Sequence, residues 1–218
     1  MKVLPDSWIE TTLGDVTSQG QYGWTAKAGN NGEVKYLRTT DITSGHIDWK
    51  NVPYCNELPD DIGSYLVKDG DILISRAGSV GYSILLESVL HKAVFASYLI
   101  RFITSREVEA KFIAYFLRSE AYWRQISEAS AGIALANVNA KKLANIILPL
   151  PPLAEQKRIA DKLDTLLARV DACRAHLYHV PEILKRFRQA VLAAATSGKL
   201  TELWRSTNKL TSSWEPTT

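Results

Sequence analysis

The segment Ser18-Gln19-Gly20-Gln21-Tyr22-Gly23-Trp24-Thr25-Ala26-Lys27 sets amides, aromatic rings and a cation between glycines. Such side chains suit the edges and faces of nucleic-acid bases. Gln pairs bidentately with adenine, and Lys or Arg with guanine, in the major groove. Gln21, Tyr22, Trp24 and Lys27 are therefore candidate readers of duplex DNA. Arg38 and Thr39 join them at the end of an expected strand, and Arg76 and Ser79 flank a glycine turn. A fourth group, Asn137, Asn139, Lys141 and Lys142 with Ser130, surrounds an Ala-Gly stretch. One polar loop is ordinary, and Trp24 also reads as a staple over the core. Four such loops on one domain point to a recognition surface.

Other chemistry finds weaker support. Gly78-Ser79-Val80-Gly81 lacks the GK[ST] ending of a phosphate-binding loop and falls between two expected strands. Asn51-Val52-Pro53-Tyr54 comes near an adenine-modifying motif but reads better as a turn, and Leu150-Pro151-Pro152-Leu153 has no polar residue to hold an exocyclic amine. Pro59-Asp60 with Glu109-Ala110-Lys111 imitates a nuclease metal site, yet Glu109 and Lys111 fall in a helical stretch, where i and i+2 point apart. Cys173, His176 and His179 recur every third residue without a fourth ligand, so a packed Cys with two surface His is expected. No catalytic residue, metal or cofactor is expected.

Two regions of different grammar carry these residues. Of 12 glycines, 11 lie at or before Gly132, and none occurs from 133 to 197. Between the regions, Pro149-Leu150-Pro151-Pro152 forces extended backbone and excludes a helix. Strands are expected at 34–39, 71–75, 82–87, 93–102 and 146–148. Helices are expected at 106–129, as one or two, and at 137–145. Past the prolines, Ile159, Leu163, Leu166, Val170, Cys173, Leu177, Val180, Leu184, Phe187 and Val191 are spaced alternately by four and three. That is a heptad seam on one long helix over 154–197, with Gly198 just past its end. The seam keeps phase across Pro181, which predicts a kinked continuous helix or two nearly collinear ones. A hairpin turning at 178–181 is the alternative. A striped helix of this length needs a mate, so self-association through it is expected.

The 218 residues carry 26 Lys+Arg against 23 Asp+Glu, a net charge of +3. Region 154–205 holds 10 basic and 6 acidic residues, with Lys185-Arg186-Phe187-Arg188 the densest cluster. It suits phosphate contact, and it suits a solvated helix flank equally well. Two cysteines, no apolar signal segment and no run of 18 apolar residues lead us to expect a soluble cytoplasmic protein without a membrane span.

Pro149-Leu150-Pro151-Pro152-Leu153-Ala154-Glu155-Gln156-Lys157-Arg158-Ile159 resembles the junction motif of the specificity subunits of type I restriction-modification systems. Leu184 to Leu192, then Ser197-Gly198-Lys199-Leu200-Thr201, is similar to the end of their helical spacer. Leu4-Pro5-Asp6-Ser7-Trp8, Leu13-Gly14-Asp15-Val16 and Gly70 to Gly78 resemble the opening and central strand of their target recognition domain. Family members usually carry two recognition domains and two spacers; one of each stands here. The resemblance implies an α+β architecture: a mixed α/β target recognition domain over 1–150, then a spacer over 151–205 forming an antiparallel coiled coil with a second copy, then a flexible tail over 206–218. It also implies a non-catalytic subunit that reads one half of a split target in double-stranded DNA. Methyltransferase subunits would dock on it, and a restriction and translocase subunit would join through the complex. The seam residues Ile159, Leu163, Leu166, Val170, Leu177, Leu184, Phe187 and Val191 would form the interface. The alternative is a protein–protein adaptor with a coiled-coil rod and no sequence reading.

Overall fold

The structure is a computed structural model that describes residues 4–130 and 137–208, the side chain of Ser130 excepted. The chain begins with β1 (Ile9–Thr12), α1 (Leu13–Val16), β2 (Gln21–Tyr22), β3 (Ala28–Gly29), β4 (Lys35–Leu37), α2 (Thr39–Ile42) and β5 (Tyr54–Cys55). It continues through β6 (Asp71–Ser75), β7 (Ser83–Leu85), β8 (Ala93–Phe95) and β9 (Leu99–Ile103). Three helices follow, α3 (Ala110–Phe116), α4 (Glu120–Ser130) and α5 (Ala140–Ala144), then β10 (Ile147–Leu150), α6 (Leu153–Thr196) and α7 (Glu202–Thr207). This is the expected order of a mixed α/β domain followed by a long helix.

Two compact units divide at Lys162 and Leu163. In the first, an antiparallel sheet of order β2-β9-β6-β7 lies near a second sheet of order β3-β5-β4-β8, whose β4 and β8 run parallel. The central strand β6 is buried at all five positions. Ile72 and Ile74 join Ile100 and Phe102 of β9 against Phe112, Ile113, Phe116 and Tyr122 of the helices. Leu73 and Leu99, on the opposite face, meet Leu37, Val52 and Phe95. Burial on both faces explains why Asp71-Ile72-Leu73-Ile74-Ser75 reads as an apolar run instead of an alternating one. Between β6 and β7 the expected glycine turn forms, with Gly78 at φ +78° and Gly81 at φ +84°. The buried Tyr122 hydroxyl donates to the Gly81 carbonyl at 2.8 Å. A Cβ on Gly81 would stand 2.9 Å from Ile126 Cγ2, so two constraints select glycine.

The expected strand over 93–102 is two strands. At the bend between them, Ala96 and Leu99 close a backbone hydrogen bond of 2.8 Å and Tyr98 is turned outward. The helical stretch 106–129 likewise splits into α3 and α4. The final strand β10 extends into the prolines and pairs antiparallel with β1, Ile9 facing Leu150 and Glu10 facing Pro149. Proline is tolerated there because the ribbon has only two strands and each has an open edge. At the start of α6, Gln156 is 1% exposed. Its Oε1 accepts from the Glu109 amide at 2.8 Å and its Nε2 donates to the Pro151 carbonyl at 2.8 Å. Trp8 Nε1 donates to Glu155 at 3.2 Å. The junction motif thus ties the base of the helix to β10, α3 and the N-terminal segment.

Helix α6 is unbroken over 44 residues, about 66 Å at 1.5 Å per residue, and Pro181 sits inside it without a chain reversal. Gly198 follows at φ +73°, the left-handed conformation expected past a helix end. Within the second unit the seam side chains are open: Leu177 is 66% exposed and Phe187 64%. α7 runs to Thr207, so the first residues of the expected tail are helical, and 209–218 lie outside the described residues.

Candidate nucleic-acid interface

The structure gathers a subset of the expected readers. Segment 76–77 pairs with 137–138: Ala77 bridges Asn137, and the Val138 amide donates to the Arg76 carbonyl at 3.0 Å. The Arg76 guanidinium lies over the Tyr22 ring, 5.0 Å from its centroid. Arg76 Nε is buried without a hydrogen-bond partner among the described residues. A cation stacked on an aromatic ring keeps its planar fork oriented, and its terminal nitrogens remain the polar part able to meet an acceptor. The Tyr22 hydroxyl accepts the Ala140 amide at 3.0 Å, which ties β2 to the start of α5.

An open cleft of about 590 Å³ lies beside this cluster, lined by residues including Ser18, Gln19, Tyr22, Asn139 and Lys141. Asn139 caps α5, its Oδ1 accepting the Lys142 amide at 2.8 Å. The cap occupies the Asn139 acceptor, which leaves its amide as the donor for a ligand. Lys141 is exposed on the rim, whereas the Lys142 ammonium donates to the Ala129 carbonyl at 2.6 Å. A second cleft of about 400 Å³ is lined by Thr25, Ala26, Arg38, Thr39, Ser97 and Tyr98, among others. The Arg76 amide donates to the Tyr98 carbonyl at 2.9 Å, so Arg76 links the walls of the two clefts. Lys27 is exposed between two residues of the second cleft.

Other expected readers are engaged inside the fold. Gln21 Nε2 donates to the Ser64 carbonyl at 2.9 Å, and its Oε1 accepts from Arg101. Arg101 is buried, 3.3 Å from Asp71, and also donates to the Leu66 and Ser64 carbonyls. Burial pushes the Asp71 carboxyl above its ordinary range, while the Lys68 amide and Arg101 pull it down. Trp24 Nε1 donates to the Glu57 carbonyl at 2.8 Å and its ring packs edge-on against Tyr65, so the staple reading of Trp24 matches its contacts. Arg38 forms two hydrogen bonds to Asp41, at 3.0 and 2.9 Å, which hold its guanidinium pKa up and orient it over the second cleft. Thr39 opens α2 and accepts from the Ser75 hydroxyl at 3.5 Å. Ser79 is half-buried in the glycine turn and its carbonyl accepts the Tyr82 amide at 3.4 Å. The Ser130 side chain and the Ala-Gly stretch of 131–136 lie outside what the structure describes.

Sequence reasoning missed Tyr98 and Ser97, which the bend between β8 and β9 presents. The signal was Ser97, a small polar residue interrupting an apolar run. Among the described residues, no group of three or more His, Cys, Asp or Glu could hold a metal ion. Glu109 instead caps α3, accepting the Lys111 amide at 3.4 Å, and Lys111 faces Glu87 at 3.4 Å. No described helix is long and apolar enough to cross a membrane.

A layered α/β unit with two open clefts is followed by a 44-residue helix. The family model for the type I restriction modification DNA specificity domain matches residues 5–177, and the chain belongs to that family. The StySPI specificity subunit of Salmonella potsdam is 34% identical over 219 residues, covering 95% of this chain and 46% of that protein. The EcoBI specificity subunit of Escherichia coli is 31% identical over 204 residues, covering 91% and 40%. The EcoKI specificity subunit of E. coli K12 is 55% identical over 95 residues, 44% of this chain and 20% of that protein. The HsdS subunit of Thermoanaerobacter tengcongensis shares the fold at TM-score 0.66 and 23% identity, over 88% of this chain and 46% of that one. The chain thus spans less than half the length of these relatives.

Proposed function

We propose that this chain is a non-catalytic, sequence-specific reader of double-stranded DNA, contributing one half of a bipartite target. The observation that carries the reading is the cluster of Arg76 on Tyr22 with Asn139 and Lys141, which sets cations and an amide at an open cleft in a member of the DNA specificity family. Arg76, Tyr22, Asn137, Asn139, Lys141, Lys27 and Thr39 are the contact residues on this reading. Gln21, Trp24 and Lys142 support them, and Arg38 contributes through the second cleft. Residues 151–205 form the spacer. Two copies pair antiparallel through its seam, and methyltransferase subunits, with a restriction and translocase subunit beyond them, assemble on the pair in the cytoplasm. The relatives' description as specificity subunits of type I restriction enzymes supports this division of labour.

A protein–protein adaptor is the second reading, favoured by the exposed apolar stripe on α6. Titrating salt against binding of a mixed-sequence duplex separates the two. Neutralised phosphates release counterions, so the DNA reader loses affinity steeply as salt rises. Absence of duplex binding at low salt would overturn the proposal.

A further inference from the structure

Arg38 stands at the end of a strand held on both sides. β4 pairs with β5 and β8, and its last residue, Leu37, is fully buried. At Arg38 the backbone is still extended, with φ -114° and ψ 170°, and the next residue opens α2. One carboxylate then grips Arg38 at three points. Asp41 Oδ2 accepts the Arg38 amide at 2.8 Å and its Nε at 3.0 Å, and Oδ1 accepts from Nη2 at 2.9 Å. The Asp41 side chain is 10% exposed, that of Arg38 41%, so the brace is buried and the fork is accessible.

This pairing uses the Nε side of the guanidinium. The other edge, Nη1 with the second hydrogen of Nη2, has no hydrogen-bond partner among the described residues. Arg38 lines the second cleft and is the one charged side chain among the described residues lining it. Hydroxyl-bearing neighbours, Thr39, Thr40, Ser97 and Tyr98, share the wall, and Tyr98 is 59% exposed. A planar edge of two N–H groups matches a pair of acceptors held side by side. Guanine offers O6 and N7 in the major groove, whereas adenine sets an N6 donor beside N7, opposite an N–H. Phosphate is the other bidentate acceptor. It is drawn by net positive charge, and Arg38 with Asp41 carries none.

We infer that Arg38 reads the O6 and N7 edge of a guanine in the second cleft, with Asp41 as the positioning residue that fixes its fork. This rests on the duplex reading proposed above and names one base within it. Selection from a randomised duplex library by the full chain should recover a motif with at least one strict G·C pair. Arg38→Lys keeps the cation and loses the fork. That variant should recover the same motif with one G·C position relaxed. Its discrimination between the selected duplex and one carrying A·T at that position should fall roughly tenfold or more. Asp41→Asn leaves the fork unbraced and should relax the same position, while binding to unrelated duplexes holds or strengthens. Loss of folded protein lowers binding to every duplex alike, so the ratio of the two affinities reports the contact itself. An Arg38→Lys chain that keeps its preference at every position marks a phosphate contact and overturns the guanine assignment, with the duplex reading intact. Full discrimination by Asp41→Asn overturns the brace. A native chain that selects no motif overturns the duplex reading and the guanine contact together.

Discussion

Arg76 and Gln21 carry the same polar promise in sequence and have different surroundings. Arg76 rests on Tyr22, which lines an open cleft, whereas Gln21 is bound on both sides by Ser64 and Arg101. Arg76→Ala and Lys141→Ala should therefore weaken duplex binding while the melting temperature stays within a degree or two. Gln21→Leu removes a hydrogen-bond acceptor from buried Arg101 and should cost stability on the order of 1–3 kcal/mol by chemical denaturation. Asp71 gives a test by pH. Burial raises its folded pKa above the usual value of 3.8. Its contribution to stability is thus complete below that value and lost as pH rises through the raised range. The stability of the native chain relative to Asp71→Asn should fall across that window, and a flat difference would show that burial does not govern the group.

Helix α6 was legible because its period is long and unambiguous. Ten seam positions in phase outweigh one proline at Pro181, and the helix runs through. Central strand β6 was legible because both its faces are buried. The short strands β2, β3 and β5 were not, because two-residue pairings leave no periodic trace and depend on partners distant in sequence, such as Tyr22 facing Ile100. The bend between β8 and β9 was hidden by apolar residues on both sides. For the same reason the candidate site was only half legible: residue types revealed polar loops, but only the fold separates Lys141 on a rim from Lys142 bound to Ala129. Leu177→Asp should abolish pairing through α6, seen as a monomer in sedimentation, with the melt of the first unit unchanged. Lys162, Arg169, Arg174 and Arg188 border the seam on both sides. Screening these like charges should leave pairing unchanged or tighter as salt rises, opposite to the loss expected for DNA binding.

At the scale of the molecule, Gln156 is a buried tie that anchors the start of α6 within the first unit. Gln156 satisfies the Glu109 amide and the Pro151 carbonyl in a site closed to water. Gln156→Leu leaves both unsatisfied and should destabilise the first unit by about 1–3 kcal/mol per stranded group. On the proposed pairing of two copies, the two heads would be related by a two-fold axis, and the bound sequence would share that symmetry. Selection from a randomised duplex library by the purified chain together with its methyltransferase subunit tests this most directly. The account predicts recovery of an inverted repeat with a fixed, unread gap, each half losing its base preference when Arg76 is replaced by Ala. Recovery of sequences without any shared motif would contradict it.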